Sequence, residues 1–278
     1  MNRTLLQIKI LYDSMGKSEK RIADWLFEHS DEIIPLSITE LAEISGSSEA
    51  TIVRFAKRIG FSGYQEMKIS FAQESGKKII NKDISRNDNC MDILDKISNE
   101  IYCSLEMTKH AIDKNSLEAA AEAIMNCRNI YIFGLGNSAA TATDAAHKFL
   151  RAGCHATAYC DNHMQAIAAS HLGEDDVAVG ISHSGSSRDI VDALKISRDN
   201  GAATICITNY GKSPIIKQSD IVLCTRSQET EYSILGLNSR IAALAIIDSI
   251  YTYIICKNGD KAIEEVRRAE KALQNKKY

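Results

Sequence analysis

Between residues 129 and 224, five short apolar runs alternate with stretches of helical period, and this alternation restricts the fold more than any other feature of the chain. The runs fall at 129–133, 155–159, 177–181, 203–208 and 221–224. Runs this short and this apolar suit strands covered on both faces. Strands joined through helices pair in parallel, with right-handed crossovers. The expected architecture is an α/β three-layer domain with a five-stranded parallel sheet. A helix over 238–256 is apolar nearly all round (Ile241, Leu244, Ile246, Ile247, Ile250, Ile254, Ile255) and should be buried, with a second subunit as one candidate cover. A charged amphipathic helix is expected over 260–278.

The third run, Val177 to Ile181, passes into a turn of small polar residues, Ser182-His183-Ser184-Gly185-Ser186-Ser187. A helix follows with Ile190, Val191 and Leu194 on one face and a stop at Gly201. A strand that feeds a helix through such a turn can hold an anion. The helix N-terminus offers unpaired N–H groups and partial positive charge, and the serines add hydroxyl donors. The turn has no lysine, so it is not a nucleoside triphosphate loop, and a phosphate monoester fits better. The plain alternative is a well-capped helix after a buried strand. The first run also ends in a glycine turn, Gly134-Leu135-Gly136-Asn137-Ser138-Ala139. This satisfies the loose dinucleotide pattern, with Asp161 after the second run as its acidic residue. Two observations weigh against a nicotinamide enzyme. Ser138 stands where backbone alone would serve, and a second anion turn is present. In a flavodoxin-like strand order, the first and third strands flank the switch point, so both turns would face one crevice.

Residues 1–77 read as all-helical. Leu5, Leu6, Ile8 and Leu11 mark a first helix. Ser18 is the expected cap of a second, which carries Ile22, Trp25 and Leu26. Pro35 forbids continuation, and Ser37-Ile38-Thr39-Glu40 is a capping box for a third helix with Leu41, Ala42 and Ile44 inward. After Gly46, Ser48 can cap a fourth helix that runs through Ile52, Phe55, Ala56 and Ile59 to Gly60. Short helix, glycine turn and second short helix form the layout of a helix-turn-helix. On the outer face of its second helix, Thr51 and Arg54 lie one turn apart and suit base edges, while Lys57 and Arg58 suit phosphates. Ser47 and Ser48 at the N-terminus can bind a backbone phosphate. The segment as a whole carries a net charge of −1, so any attraction to nucleic acid is local to Arg54, Lys57 and Arg58. A helical pair with a solvated charged face is the plain alternative.

The chain has 278 residues, enough for about two domains, and a net charge of −3 that implies no bulk attraction to nucleic acid or membrane. Gln7, Lys9 and Asp13 interrupt the first apolar segment, so no cleavable signal is expected. No stretch is read as reaching the roughly 20 apolar residues of a membrane span. Eight cysteines include no Cys-x-x-Cys pair, and no metal is expected. Cys206 and Cys224 lie in apolar runs, as reduced core thiols do. Residues 75–90 are polar and read as a linker. Leu94, Ile97, Ile101, Leu105, Thr108 and Ile112 then form a helical stripe that wants a partner, from its own domain or from a dimer.

The run from Leu41-Ala42 through Ser48-Glu49-Ala50-Thr51-Ile52-Val53-Arg54-Phe55 to Gly60-Phe61-Ser62-Gly63-Tyr64 resembles the DNA-binding domain of the RpiR family of bacterial transcriptional regulators. The serine turn resembles the Ser-x-Ser-Gly-x-[Ser/Thr] signature of the sugar isomerase (SIS) domain, which is the other half of that family. The resemblance covers nearly the whole chain. It implies a helix-turn-helix domain over 1–77, a linker over 78–90 and an SIS domain over 91–278. By the same resemblance Ser182, Ser184 and Ser187, with Asn137 and Ser138, hold the phosphate of a phosphosugar, while Gly185 lets the backbone come close to it and His183 and Glu229 read as sugar-hydroxyl contacts or surface charge. His163, Glu231 and Arg240 stand near its sugar. SIS isomerases place a catalytic glutamate on the helix after the last strand, whereas here that helix begins Asn238-Ser239-Arg240. The expected protein is therefore a cytoplasmic regulator without cofactor or turnover, a repressor of sugar or amino-sugar catabolism. It binds operator DNA as a homodimer or homotetramer and is modulated by a phosphorylated sugar. A phosphosugar isomerase with a helical appendage is the alternative.

Overall fold

The computed structural model describes residues 3–30, 32–74, 84–85, 87–227, 237–274 and 276. Two compact units divide the chain: the first runs to Glu100 and takes in Gly211–Ser213, and the second begins at Ile101 and holds the sheet.

The first unit contains α1 (Arg3–Leu11), α2 (Lys17–His29), α3 (Ile38–Ile44), α4 (Glu49–Arg58) and α5 (Tyr64–Glu74). Ile22, Leu26, Leu41, Ile52, Phe55 and Phe71 are fully or almost fully buried in one cluster. The capping box at Ser37 forms as read: its hydroxyl accepts the Glu40 amide at 3.1 Å, and the Glu40 carboxylate accepts the Ser37 amide at 2.8 Å. The cap of α2 differs from the expectation. Gly16 is the N-cap, its amide held by the Glu19 carboxylate at 2.9 Å, because the acid lies three residues after Gly16 rather than after Ser18. Ile44, expected inward, is 53% exposed, since α3 buries only Ile38, Thr39, Leu41 and Ala42.

The helix α6 (Cys90–Ala111) crosses the division between the units. Asn89 caps it by accepting the Met91 and Asp92 amides at 2.8 and 3.0 Å. Its stripe is only partly covered: Thr108 is buried and its hydroxyl accepts the Arg226 amide at 2.9 Å, while Leu94 stays exposed.

In the second unit β1 (Ile130–Gly134), β2 (Ala156–Tyr159), β3 (Val177–Ile181), β4 (Ala203–Asn209) and β5 (Ile221–Thr225) form one parallel sheet in the order β2-β1-β3-β4-β5. This is the flavodoxin-like order expected from the sequence. Alternate strand residues feed two cores. Ile132, Val179 and Ile205 pack with α7 (Lys114–Asn126), α8 (Asn137–Arg151) and α11 (Leu237–Gln274). Phe133, Ala178 and Cys206 pack with α9 (Asn162–Ala169) and α10 (Arg188–Asp199). A buried carboxylate ties the N-terminal edge of the sheet. Asp176 accepts from Arg128 at 2.8 and 3.2 Å, from the Asn129 amide group at 2.8 Å and from the Gly173 backbone at 3.0 Å.

Gly259 breaks the regular dihedrals of α11, with φ 51° and ψ −128°, a conformation that a residue with a Cβ rarely adopts. By length and composition the first part of α11 would pass for a membrane span, which the sequence reading had not anticipated. Its Ala242, Ala243, Ile246, Ile247, Ile250 and Ile254 pack in the core of the sheet.

Candidate functional site

The strands β1 and β3 are neighbours, and Gly134 at the end of one stands opposite Ile181 at the end of the other. Beyond these residues the chain turns to opposite faces of the sheet, into α8 and α10. A crevice opens where neighbouring crossovers diverge in this way. The turn into α8 needs its glycines. A Cβ on Gly134 would lie 2.5 Å from the Ser138 carbonyl oxygen, and Gly136 has φ 56° with ψ −128°. The first turn of α8, with Asn137 and Ser138, is thereby set hard against the end of β1.

The turn into α10 is held mostly by its own hydrogen bonds. Ser182 is 2% exposed, and its hydroxyl donates to the Ser187 hydroxyl at 3.2 Å. The Gly185 amide donates to the Ser182 carbonyl at 3.0 Å. The Ser186 amide donates to the Ser184 hydroxyl at 3.3 Å, and the Ser186 hydroxyl donates to the Ser184 carbonyl at 3.1 Å. β4 and the 3-10 turn after it (Pro214–Gln218) fasten the turn from outside, because the Asn209 amide donates to the His183 carbonyl at 3.0 Å and the Ile215 amide to the Gly185 carbonyl at 3.0 Å.

The capping pattern separates these two helices from their neighbours. The Asp113 side chain caps α7 by accepting the Ser116 amide, and Asp161 caps α9 by accepting the Met164 amide at 3.0 Å. The N-cap of α8 is Gly136, which has no side chain to offer, and that of α10 is Ser187, whose side chain makes no cap bond. Two helices of 15 and 12 residues thus begin beside each other with no side-chain cap. Neither turn contains Lys or Arg, so what the crevice offers an anion is amides, hydroxyls and helix-end partial charge. Asp189 in the first turn of α10 is exposed.

The structure brings Asn137, Ser138, Ser182, His183, Ser184, Gly185 and Ser187 to this one edge of the sheet. His163 is exposed on the first turn of α9, and Arg240 is exposed near the start of α11. Glu231, with Glu229, lies outside the described residues. Asp161, the acidic residue of the dinucleotide pattern, is occupied as the cap of α9. Pattern reading missed Gln165, whose amide ties the ends of β1 and β2, because a glutamine inside a helical run carries no motif. Among the described residues, no group of three or more His, Cys, Asp or Glu is placed to hold a metal ion.

In the first unit, α3, the turn Ser45-Gly46-Ser47 and α4 form the helix-turn-helix. Ser48 caps α4, accepting the Thr51 amide at 3.2 Å, and its hydroxyl pairs with that of Thr51 at 2.8 Å. Arg54 donates to the Thr51 hydroxyl at 3.3 Å, so the two form one exposed pair on the outer face. The hydroxyls of Ser47 and Ser45 pair at 2.6 Å. Lys57 is exposed on α4. Arg58, expected from the sequence as a phosphate contact, is exposed and bonded within the unit. It donates to Glu19 at 2.7 Å and to the Ser14 carbonyl and hydroxyl at 2.7 and 3.0 Å, pinning α4 to the start of α2.

Comparison with known proteins agrees with both halves of this geometry. Residues 2–78 match the helix-turn-helix domain of the rpiR family, and residues 123–253 match the SIS domain. An HTH-type transcriptional regulator of Caldanaerobacter subterraneus subsp. tengcongensis is 34% identical over 279 residues, covering 100% of this chain and 99% of its own. The chain belongs to the RpiR family of HTH-type transcriptional regulators. Another relative of this RpiR-family chain is the regulator HexR of Pseudomonas aeruginosa, 30% identical over 100% of this chain and 98% of its own. These relatives are named as regulators, and this chain is a transcriptional regulator rather than an enzyme. Among solved structures, NanR of Vibrio vulnificus, complexed with ManNAc-6P, superposes with a TM-score of 0.83 over 99% of each chain at 22% identity. That likeness establishes the shared fold.

Proposed function

We propose that this RpiR-family regulator represses an operon of sugar or amino-sugar catabolism, and that a phosphorylated sugar in the crevice between β1 and β3 changes its hold on operator DNA. The observation that carries the reading is the pair of helix N-termini, α8 and α10, left without side-chain caps at the switch point of the sheet. A phosphate there accepts from the first-turn amides of α10 and from the hydroxyls of Ser138, Ser182, Ser184 and Ser187, with the partial positive charge of the α8 N-terminus beside it; in α8 the Ser138 and Ala139 amides already donate to the Leu135 and Gly136 carbonyls at 3.1 Å. Asn137, His183 and Gly185 complete that turn-lined wall, and His163, Glu231 and Arg240 serve the sugar. The NanR structure with ManNAc-6P supports a ligand of this class. In the DNA-binding half, over 1–77, Thr51 and Arg54 read base edges while Ser47, Ser48 and Lys57 contact phosphates. Arg58 acts there by holding α4 in place. Two-fold operators need two reading heads, so the working form is a homodimer or homotetramer in the cytoplasm, where the chromosome lies.

The test pairs two measurements on the full chain. A thermal-shift screen against hexose, pentose and N-acetylamino-sugar phosphates should show a rise in the midpoint for at least one of them. A gel-shift titration with the upstream operator fragment should then show weaker binding when that compound is present. Ser184→Ala should abolish the ligand response and leave binding of the free regulator to DNA unchanged. A screen without a hit, or a hit without effect on DNA binding, refutes the reading.

A further inference from the structure

Gln165 is fully buried on α9, one turn beyond its cap. Its Nε2 donates to the Tyr159 carbonyl at 2.8 Å and to the Gly134 carbonyl at 3.2 Å. These are the last residues of β2 and β1. Both amide hydrogens are therefore used, and the amide can point only one way. Turned over, it would set its oxygen against two carbonyl oxygens. The remaining atom, Oε1, is buried and has no hydrogen-bond partner among the described residues. Buried acceptors in folded proteins are nearly always matched, and an unmatched one costs about as much as a lost hydrogen bond.

The place of this acceptor matters as much as its state. The amide sits at the C-terminal edge of the sheet, the edge that carries both anion turns. Gly134, whose carbonyl it holds, has its Cα packed against the Ser138 carbonyl. His163 stands two residues before it on the same helix. We infer that Gln165 Oε1 is a specificity-determining acceptor for a hydrogen-bond donor on the sugar portion of the ligand, a ring hydroxyl or an acylamino N–H. This rests on the phosphosugar reading of the crevice and adds to it. Hydroxyls and amides of the two turns grip the phosphate, whereas Gln165 reads a donor on the ring. A sugar phosphate that lacks a donor at that position leaves Oε1 unmatched and binds more weakly, which is how a buried polar group discriminates between close analogues.

The experiment uses the full-length protein and isothermal titration with three probes: inorganic phosphate, glucose 6-phosphate and N-acetylmannosamine 6-phosphate. Gln165→Met keeps the length of the side chain and removes the acceptor together with the two donors to Gly134 and Tyr159, so the readout is the difference between sugar phosphate and inorganic phosphate. It should weaken the tighter of the two sugar phosphates about tenfold, roughly 1.4 kcal/mol, and leave the affinity for inorganic phosphate unchanged. Equal weakening of sugar phosphate and phosphate would mean that Gln165 only positions α9, and would overturn the inference. So would an unchanged sugar affinity, which is the result expected if a buried water serves Oε1. Wild-type protein that binds none of the three probes would sink the parent reading instead, a result distinct from either of these. Should the variant not fold, nitrogen-labelled wild-type protein decides the matter: the Gln165 side-chain amide signals should shift with the sugar phosphate and not with phosphate. Identical shifts with both refute it.

Discussion

Gly134→Ala tests how tightly the anion crevice depends on the contact between β1 and α8. The added methyl would lie 2.5 Å from the Ser138 carbonyl oxygen, 2.8 Å from its carbonyl carbon and 3.0 Å from the Ala142 Cβ. The first two are backbone atoms at the start of α8, so no side chain can rotate aside. To restore a contact of about 3.0 Å, the start of α8 has to retreat by at least about 0.5 Å. A strain of this kind in a packed interior costs about 1–3 kcal/mol. For a unit of this size each kcal/mol lowers the melting midpoint by about 2–4 °C, so a fall of about 2–12 °C is expected. The ligand effect should be larger in proportion, because Ser138 moves by about the tolerance of a binding site. The loss of one hydrogen bond to a charged group, about 1.5–3 kcal/mol, weakens phosphosugar binding tenfold or more. Calorimetric melting with and without the sugar phosphate reads both quantities. Gly173→Ala is the matched control, since a Cβ there meets nothing within 4 Å and the residue is not in the left-handed region. If Gly134→Ala melts within a degree of wild type and binds phosphosugar as well, the anchoring of α8 at Gly134 is refuted, and with it the account of how Ser138 is placed.

Four further outcomes are expected. Arg54→Ala should weaken operator binding by about 1–3 kcal/mol and relax sequence preference, and an unchanged gel-shift titration would remove Arg54 from the interface. Arg58→Met should lower the melting midpoint of the helical unit while leaving the salt dependence of DNA binding nearly as it was, because its guanidinium is bound to Glu19 and Ser14; a salt slope reduced by about one would assign it to phosphate instead. Burial raises the carboxyl pKa of Asp176, but hydrogen bonds from Arg128, Asn129 and Gly173 outweigh this and hold it below the usual carboxylate range, so its stabilisation should be complete at neutral pH and lost as acid takes the pH down through and below 3.8; Asp176→Asn should remove that part of the acid transition, and an unchanged acid profile would refute it. Burial pushes the Lys68 ammonium down to about 8 despite the nearby Glu40 carboxylate, so the helical unit should gain stability as pH rises from about 8 towards 10.5, where only the unfolded chain still holds the proton; Lys68→Met should abolish that rise in pH-dependent melting, and a rise that persists in the variant would refute it.

The parts of the fold that repeat a simple period were legible from the residues. The five apolar runs became the strands within a residue or two at each end; β3 is buried on both faces as expected, whereas the edge strand β2 has no buried residue because it has a neighbour on one side only. The capping box at Ser37 and the cap at Ser48 were legible for the same local reason. Ser18 was misread as a cap because a serine before an apolar run looks right in isolation, whereas the reciprocal partner Glu19 fixes the boundary at Gly16. The contacts of Arg58 were not legible because its partners, Ser14 and Glu19, lie 44 and 39 residues away, and no local pattern reports a contact made by tertiary packing. Gln165 was invisible for a stronger version of that reason. Its environment is made by two strand ends and a helix, and it becomes informative only when one of its atoms is left unmatched.

The arrangement of caps says what kind of site the α/β unit can hold. Asp113 and Asp161 close α7 and α9 with carboxylates, so neither of these helices offers an uncapped end to an anion. At α8 and α10 the chain places glycine and a serine turned elsewhere, so neither helix has a side-chain cap, and it does so after the two adjacent strands whose helices diverge. A fold that only needed stable helices would gain from side-chain caps on these two as well, by a few tenths of a kcal/mol over the glycine cap of α8 and up to about 1 kcal/mol at α10. The two without side-chain caps forgo that stabilisation, which under the proposed function a bound phosphate would supply. That difference lets ligand binding stabilise this corner, and any change in operator affinity must draw on the same free energy.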